Sequence, residues 1–334
     1  MPLERLIQGL WYGNRLWSVP LLPLAACYWG VTSLRKAAYR TGLRETRHLP
    51  VPVVVVGNIT VGGTGKTPLV IWLARWLARH GYRPGVLASG YGGRARFWPQ
   101  QVRPDSDPNV VGDEPVVIAR HSRCPVAAGP DRLAAATGLL RHHGCTIIVS
   151  DDGLQHLRLG RDVEIAVVDG QRRYGNRRLL PAGPLREPLR RLERVDFVVA
   201  NGAALGREVA MRYRVLDPRP VGAQRPSPTL HELRGREVHA LAGIGHPERF
   251  FSTLRSYGLR VIPHPFPDHH AFTAKDLRFK GGHPVVMTEK DAVKCARYTP
   301  QNAWYIPIEA ELPKAFEDQL LTVLEHGDYG QAVA

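Results

Sequence analysis

The chain has 334 residues, 44% hydrophobic and 22% charged, a globular composition that excludes a wholly disordered polymer. Cys27, Cys124, Cys145 and Cys295 lie far apart with no Cys-x-x-Cys spacing, which excludes a disulfide scaffold, a zinc ribbon and a thioredoxin-type redox pair. A formal net charge of +15 calls for an anionic partner, whether nucleic acid, nucleotide or membrane.

Residues 16–34 carry no charge and are flanked by Arg5 and Arg15 on one side and Arg35, Lys36 and Arg40 on the other. Nineteen residues are the lower edge of a membrane span. Pro20 and Pro23 interrupt the run, and Trp11, Tyr12, Trp17, Tyr28 and Trp29 place amphipathic rings near its ends. The pattern predicts a membrane-associating segment over 1–45, either monotopic or a single anchor. The plain alternative is a helix packed on the domain; five aromatic rings beside cations favour membrane contact. No small-x-small cleavage site follows, so a cleaved signal peptide is not expected.

From residue 51 short apolar runs alternate with amphipathic stretches, the pattern of a doubly wound α/β fold with a mostly parallel sheet. Expected strands are 51–56, 86–89, 125–128, 146–150, 165–168 and 196–200, with helices at 68–80 and 131–143 closed by Gly81 and Gly144. Proline-containing 217–228 reads as a linker between a core at 46–216 and a smaller C-terminal α/β unit at 229–334. In that unit strands are expected at 237–242, 260–262, 284–287 and 303–306, with helices at 247–257 and 314–324.

The run VVVVGNITVGGTGKTP, 53–68, is a strand entering a glycine-rich loop that opens a helix at Pro68, the context of a phosphate-binding loop. Thr60, Val61, Gly62, Gly63, Thr64 and Gly65 would wrap phosphate oxygens with backbone N–H groups, Lys66 would reach the β- and γ-phosphates, and the Thr67 hydroxyl would ligate Mg2+. Thr60 stands where the general pattern has its first glycine. A glycine-rich turn with a surface lysine is the alternative, disfavoured by the strand and helix in register.

Asp151 and Asp152 follow an apolar strand, where doubly wound folds keep ligand-handling groups, and an acid there suits a metal beside a phosphate loop. Asp113 and Glu114 precede a short apolar helix, and function and helix capping are level readings for them. PFPDHHAF, 265–272, offers Asp268, His269 and His270 as a metal site, a histidine supporting a carboxylate, or a plain loop. The ten arginines between 158 and 194, among them Arg172, Arg173, Arg177, Arg178, Arg190 and Arg191, read as a solvated face or as partners of phosphorylated lipid headgroups.

In order along the chain, VVVVGNITVGGTGKTP, SGYGGR (89–94), VGDEP (111–115), AGPDR (128–132), SDDGLQH (150–156), LLPAGPLREP (179–188), FPDHHAF (266–272) and MTEKDAVK (287–294) resemble the tetraacyldisaccharide 4'-kinase family of lipid A biosynthesis. The resemblance spans nearly the whole chain, and the family's phosphate loop also lacks the first glycine. It implies ATP- and Mg2+-dependent phosphorylation of a sugar hydroxyl on an acylated glucosamine disaccharide 1-phosphate, at the cytoplasmic face of the inner membrane. It makes Lys66 and Thr67 phosphate and magnesium residues and Asp151 and Asp152 the acids near the metal. Asp113 becomes the candidate base, with His269 or His270 as its partner, and Arg132, Gln155, His156 and Glu187 match positions in the active site or on the lipid. SGYGGR departs from the family by a second glycine. The competing readings are a nucleotide-switch ATPase of the partitioning or metal-chaperone type, whose usual lysine before the two glycines is Val61 here, and a nucleic-acid binder. No helix-turn-helix, zinc or RNP-type signature supports nucleic acid as a partner.

Overall fold

The computed structural model describes residues 3–13, 15–222, 225–298 and 301–326. Helix α1 (Leu3–Tyr12), a 3-10 turn (Arg15–Leu21) and α2 (Leu22–Arg40) precede the sheets. Then come β1 (Val53–Gly57), α3 (Lys66–Arg79), β2 (Pro84–Ala88), β3 (Gln100–Val102), α4 (Pro108–Val111), α5 (Asp113–Ser122), β4 (Val126–Ala128), α6 (Arg132–His143), β5 (Ile147–Asp151), β6 (Val163–Asp169), β7 (Phe197–Asn201) and β8 (Val209–Val215). The chain continues with β9 (Arg219–Pro220), β10 (Glu237–Ala242), α7 (Pro247–Ser256), β11 (Arg260–Pro265), β12 (Val285–Thr288), α8 (Glu289–Cys295), β13 (Ala303–Ile306), β14 (Ile308–Glu311) and α9 (Lys314–His326).

Among the described residues the first sheet has the order β14-β8-β7-β6-β1-β5-β2-β4-β3, parallel except at its two edges, β14 on β8 and β3 on β4. Strand β1 lies at its centre, with Val54 opposite Val149 and Val163. An unbroken run of valines suits a strand covered on both faces. Val54 and Val56 pack with Leu69, Leu73 and Trp76 of α3, while Val53 and Val55 pack with Ala135, Ala136 and Leu139 of α6. The second sheet, β11-β10-β12-β13-β9, is parallel except for β9.

The unit boundary differs from the expectation at 217–228 and 229–334. β9 lies inside the expected linker yet pairs with β13. β14 returns to the first sheet, with Ile308 opposite Val215, and α9 buries Phe316, Leu320 and Leu324 in that sheet's core. The expected helix at 314–324 therefore completes the first layer system rather than the second. Residues 223–224 of the expected linker, 299–300, and the tail from 327 lie outside the described residues, as do the side chains of Arg5 and Arg15.

The parallel order sends the C-terminal ends of β1, β2, β5, β6 and β7 to one edge, where a doubly wound sheet opens its crevice. The N-terminal segment packs beside that edge: the Trp11 indole donates to the Pro181 carbonyl at 3.0 Å, and the Tyr28 hydroxyl donates to the Arg186 carbonyl at 3.1 Å. Its opposite face is open, with Trp17 at 73%, Leu34 at 72% and Val31 at 67% exposure. No helix among the described residues is long and apolar enough to cross a membrane.

Leu73 is fully buried between α3 and the sheet. Leu73→Ala is expected to lower stability by about 2 to 5 kcal/mol, through lost transfer energy and the cavity left behind, as read by urea unfolding.

Candidate active site

The loop after β1 is held open by contacts on both sides. Val61 N–H donates to the Pro184 carbonyl at 2.8 Å, and Arg186 N–H donates to the Ile59 carbonyl at 2.7 Å, so the segment following the 179–185 turn runs beside it. Asn58 Nδ2 donates to the Gly62 carbonyl at 3.2 Å, and Asn201 Nδ2 donates to the Thr64 carbonyl at 3.1 Å. Those bonds occupy carbonyls and leave the N–H groups of the glycine turn for an anion. Gly65 caps α3 at φ +98°, and a Cβ there would collide with the side chains of Asn201 and Tyr213. Glycine is required on both counts.

Lys66 begins α3 and extends toward the end of β5, its Nζ 3.4 Å from Asp152 Oδ1. Arg186 Nη1 donates to both Asp152 oxygens, at 3.2 and 3.1 Å. Burial opposes ionisation of Asp152, yet Lys66 and Arg186 hold its carboxyl below the usual range. Asp151 has the reverse balance. Burial, with Glu114 and Asp152 nearby, pushes it from 3.8 to about 7, and Asp151 Oδ1 is buried without a hydrogen-bond partner among the described residues.

Asp113 and Glu114 open α5 behind the unusual turn at Gly112, φ +95°. The two readings of Asp113 meet here: its Oδ1 accepts the Glu114 N–H at 2.8 Å and also lies 3.3 Å from His269 Nδ1. Asp113 is 4% exposed, and although burial opposes it, His269, Lys290 and Lys294 hold its carboxyl far below the usual range. The Asp113 carboxylate beside it raises the His269 imidazole against the effect of burial. Residue 269 adopts φ +58°, which turns its ring toward Asp113 and against the edge of Tyr91 at 5.0 Å. His270 points elsewhere, 3.4 Å from Asp276 and stacked on Phe266 at 4.7 Å. The structure therefore brings His269, not His270, to Asp113.

These groups border an open cleft of about 1680 Å³ between the two sheets, lined by the phosphate loop, Glu114, Asp152, Asp268, His269 and Lys290 among others. Arg132, Gln155, His156 and Glu187 lie outside its lining. Arg132, 3% exposed, donates from Nη2 to the Asp151 carbonyl at 2.6 Å. Gln155 Nε2 donates to Glu187 Oε1 at 2.7 Å and to the Asn58 carbonyl at 3.1 Å. Glu187 also pairs with Lys36 of α2 and, at 3.4 Å, with Arg191. Burial, assisted by Arg132, lowers His156 to about 4 and keeps the imidazole neutral. The arginine-rich stretch is largely engaged within the fold: Arg173 pairs with Glu208 at 2.5 Å, Arg178 Nη1 donates to the Ser18 hydroxyl at 2.9 Å, and Arg172 Nη1 donates to the Gly245 carbonyl at 2.9 Å.

A strand-ended phosphate loop, two acids after β5 and a carboxylate–imidazole pair across one cleft narrow the comparison with known proteins. The family model described as tetraacyldisaccharide-1-P 4'-kinase matches residues 17–325. The chain belongs to that family. It is 53% identical over 322 residues to the tetraacyldisaccharide 4'-kinase of Nitrosococcus oceani, covering 96% of this chain and 94% of that one. It is 54% identical to the enzyme of Alkalilimnicola ehrlichii over 90% of each chain. It is also similar to the crystal structure of LpxK from Aquifex aeolicus in complex with ATP, at TM-score 0.75 and 27% identity over 92% of this chain and 99% of that one.

Several residues of the site carried no role in the sequence reading. Lys290 Nζ donates to Glu114 Oε1 at 2.8 Å, and Lys294 Nζ lies 3.5 Å from Asp113 Oδ2. Both stand in MTEKDAVK, which supported the resemblance without pointing to a function for its lysines. Arg186 and Arg249 are further additions, the latter donating to Asn201 Oδ1 at 2.7 Å beneath the phosphate loop.

Because the folded-state value of Asp151 lies above its ordinary one, its contribution to stability is complete at low pH and is lost as pH rises through about 7. Asp151→Asn is therefore expected to remove part of the decline in melting temperature of the metal-free protein between pH 5 and 8. Identical pH slopes in the two proteins would show that Asp151 does not titrate in this range.

Proposed function

We propose that the cleft transfers the γ-phosphoryl group of ATP to the 4'-hydroxyl of an acylated glucosamine disaccharide 1-phosphate, a step of lipid A biosynthesis. The observation that carries this reading is the placement of Lys66, at the head of α3, across one cleft from the Asp113–His269 pair. A phosphate loop alone would serve any nucleotide switch; an acid–base pair facing it serves transfer to a hydroxyl.

The backbone N–H groups from Gly62 to Lys66 hold the phosphate chain, and the Lys66 ammonium stabilises the negative charge that grows on the transferring group. His269 borders the cleft and Asp113 lies behind it, so the two act as one acid–base unit. The hydroxyl proton leaves to this pair, with Asp113 stabilising the positive charge on the imidazole. Arg186 keeps Asp152 ionised and oriented.

The residues fit Mg2+. Asp151 offers a buried oxygen without a partner, its raised affinity for a proton reflects burial first and the nearby Glu114 and Asp152 carboxylates second, and Thr67 and Asp152 border the cleft in front of it. Mg2+ is a hard cation that takes few protein carboxylates and completes its shell with waters and phosphate oxygens. Mg2+ held by Thr67, Asp151 and Asp152 would neutralise charge on the phosphates.

The lipid approaches from the side of α2. Gln155 and Glu187 join the phosphate loop to that helix, and Arg35 Nη2 donates to the Gln155 carbonyl at 3.3 Å beside His156. Arg132 supports Asp151 from beneath. The exposed face carrying Leu16, Trp17, Leu24, Trp29, Val31 and Leu34 rests in the interface of the anionic inner membrane on its cytoplasmic side, as a monotopic anchor.

The test incubates the purified protein with γ-labelled ATP and the acylated disaccharide 1-phosphate. Label should appear in the lipid, Lys66→Ala should abolish it, and Asp113→Asn should lower turnover at least about a hundredfold while ATP binding persists. Full turnover in Asp113→Asn would leave Asp151 or Asp152 as the base, and ATP hydrolysis without labelled lipid would favour the nucleotide-switch reading. For the membrane, Trp17→Ser combined with Trp29→Ser should release the protein from anionic vesicles in a flotation assay. Unchanged flotation would assign binding to the arginines, and high salt should then reverse it.

A further inference from the structure

Asp113 sits where a carboxylate is hard to keep in one orientation. It is the first residue of α5, 4% exposed, and its two oxygens have different neighbours. Oδ1 accepts the Glu114 N–H at 2.8 Å and faces His269 Nδ1 at 3.3 Å. Oδ2 faces the Lys294 ammonium at 3.5 Å. With Oδ2 uncompensated, the carboxylate would gain by turning toward any other donor, and the Oδ1 to imidazole distance would lengthen.

Lys294 has a second anionic partner. Its Nζ lies 3.0 Å from Asp291 Oδ1, and Asp291 is completely buried. The other Asp291 oxygen accepts the Gly243 N–H at 2.9 Å and the Thr288 hydroxyl at 2.6 Å. The Phe272 ring lies 5.2 Å from the ammonium. A continuous line thus runs from the backbone just after β10, through Asp291 and Lys294, to the far oxygen of Asp113.

We propose that Lys294, clamped by Asp291, is a positioning residue that holds the Asp113 carboxylate in the plane required for its partnership with His269. The proposal rests on the reading of Asp113 and His269 as the acid–base pair.

The charged groups facing Asp113 are Glu114 on its own helix, Lys290, Asp291 and Lys294 on α8, and Asp268 and His269 on the loop after β11. Lys290 donates to Glu114 and also lowers the proton affinity of Asp113, a contribution that stays in place when Lys294 is replaced. Removal of the Lys294 charge leaves Asp291 unbalanced beside Asp113, so the pair binds its proton more tightly and the acidic limb of the rate profile moves to higher pH. A lysine that only supported packing would change stability and leave that limb in place.

The experiment compares full-length Lys294→Met and Lys294→Arg with the parent protein, measuring kcat and the KM for ATP from pH 5 to 9. In Lys294→Met, kcat at neutral pH is expected to fall about tenfold or more, as misplacement of a reacting group does, with the KM for ATP within about twofold and the acidic limb displaced upward. Lys294→Arg should recover most of the rate with the limb at its original position. An unchanged kcat, or a lower kcat with an unmoved limb, overturns the proposal. If Lys294→Met does not fold, Asp291→Asn gives a test of opposite sign: Lys294 then serves Asp113 alone and the limb should move to lower pH, an unmoved limb again being decisive against it. Failure of the acid–base pair is separately visible, because Asp113→Asn would then keep full turnover whatever the Lys294 variants do.

Discussion

The site depends on keeping four carboxylates close together, Glu114 and Asp152 on the cleft lining and the buried Asp113 and Asp151 behind it. Burying charges is favourable only when they are paired and hydrogen-bonded. Lys66 comes from the phosphate loop, Arg186 from the segment beside it, and Lys290 and Lys294 from a helix of the second sheet. Three of the acids are held ionised by these cations against the cost of burial, and Asp151 is left over with a raised proton affinity.

The fold supplies this convergence through its parallel order. Lys66 follows β1, Asp151 and Asp152 close β5, and Asn201 closes β7, so one sheet edge collects residues far apart in sequence. Asn201 shows how tightly the parts are joined: it donates to the Thr64 carbonyl and to the Tyr213 hydroxyl at 2.7 Å while accepting from Arg249 of α7. The second sheet therefore reaches the glycine-rich loop through Arg249 and Asn201, and Asp113 through Lys294.

The centre of the fold was legible because its signals are local. An apolar run ending in a glycine-rich turn, and an acid pair after an apolar strand, each state their placement within a dozen residues. The edges were less so. In β8 and β14, charged and apolar residues alternate, with Arg212 opposite Glu311 and Arg214 opposite Glu309. Such half-exposed strands resemble polar connections in sequence, which is why the expected boundary passed between β8 and β14. Adjacent histidines gave no basis for choosing between them, because the choice is made by the left-handed backbone of His269, which turns its ring toward Asp113. The lysines of α8 were equally silent, since a cation on a short helix reads as solvated until the packing of α8 on α5 buries it.

Chain connectivity adds a last constraint. The second sheet leaves the first after β8 and returns through β14, which pairs with that same strand. Both crossings lie at one edge, while the ion pairs Lys290–Glu114 and Lys294–Asp113 and the Asp113–His269 contact lie between α8, the loop after β11 and α5. Separation of α8 and the loop after β11 from α5 would take Lys294 and His269 from Asp113 and Lys290 from Glu114. The Asp113–His269 contact therefore exists only while the second sheet is seated, and the electrostatic cost of separating these charges favours the seated arrangement.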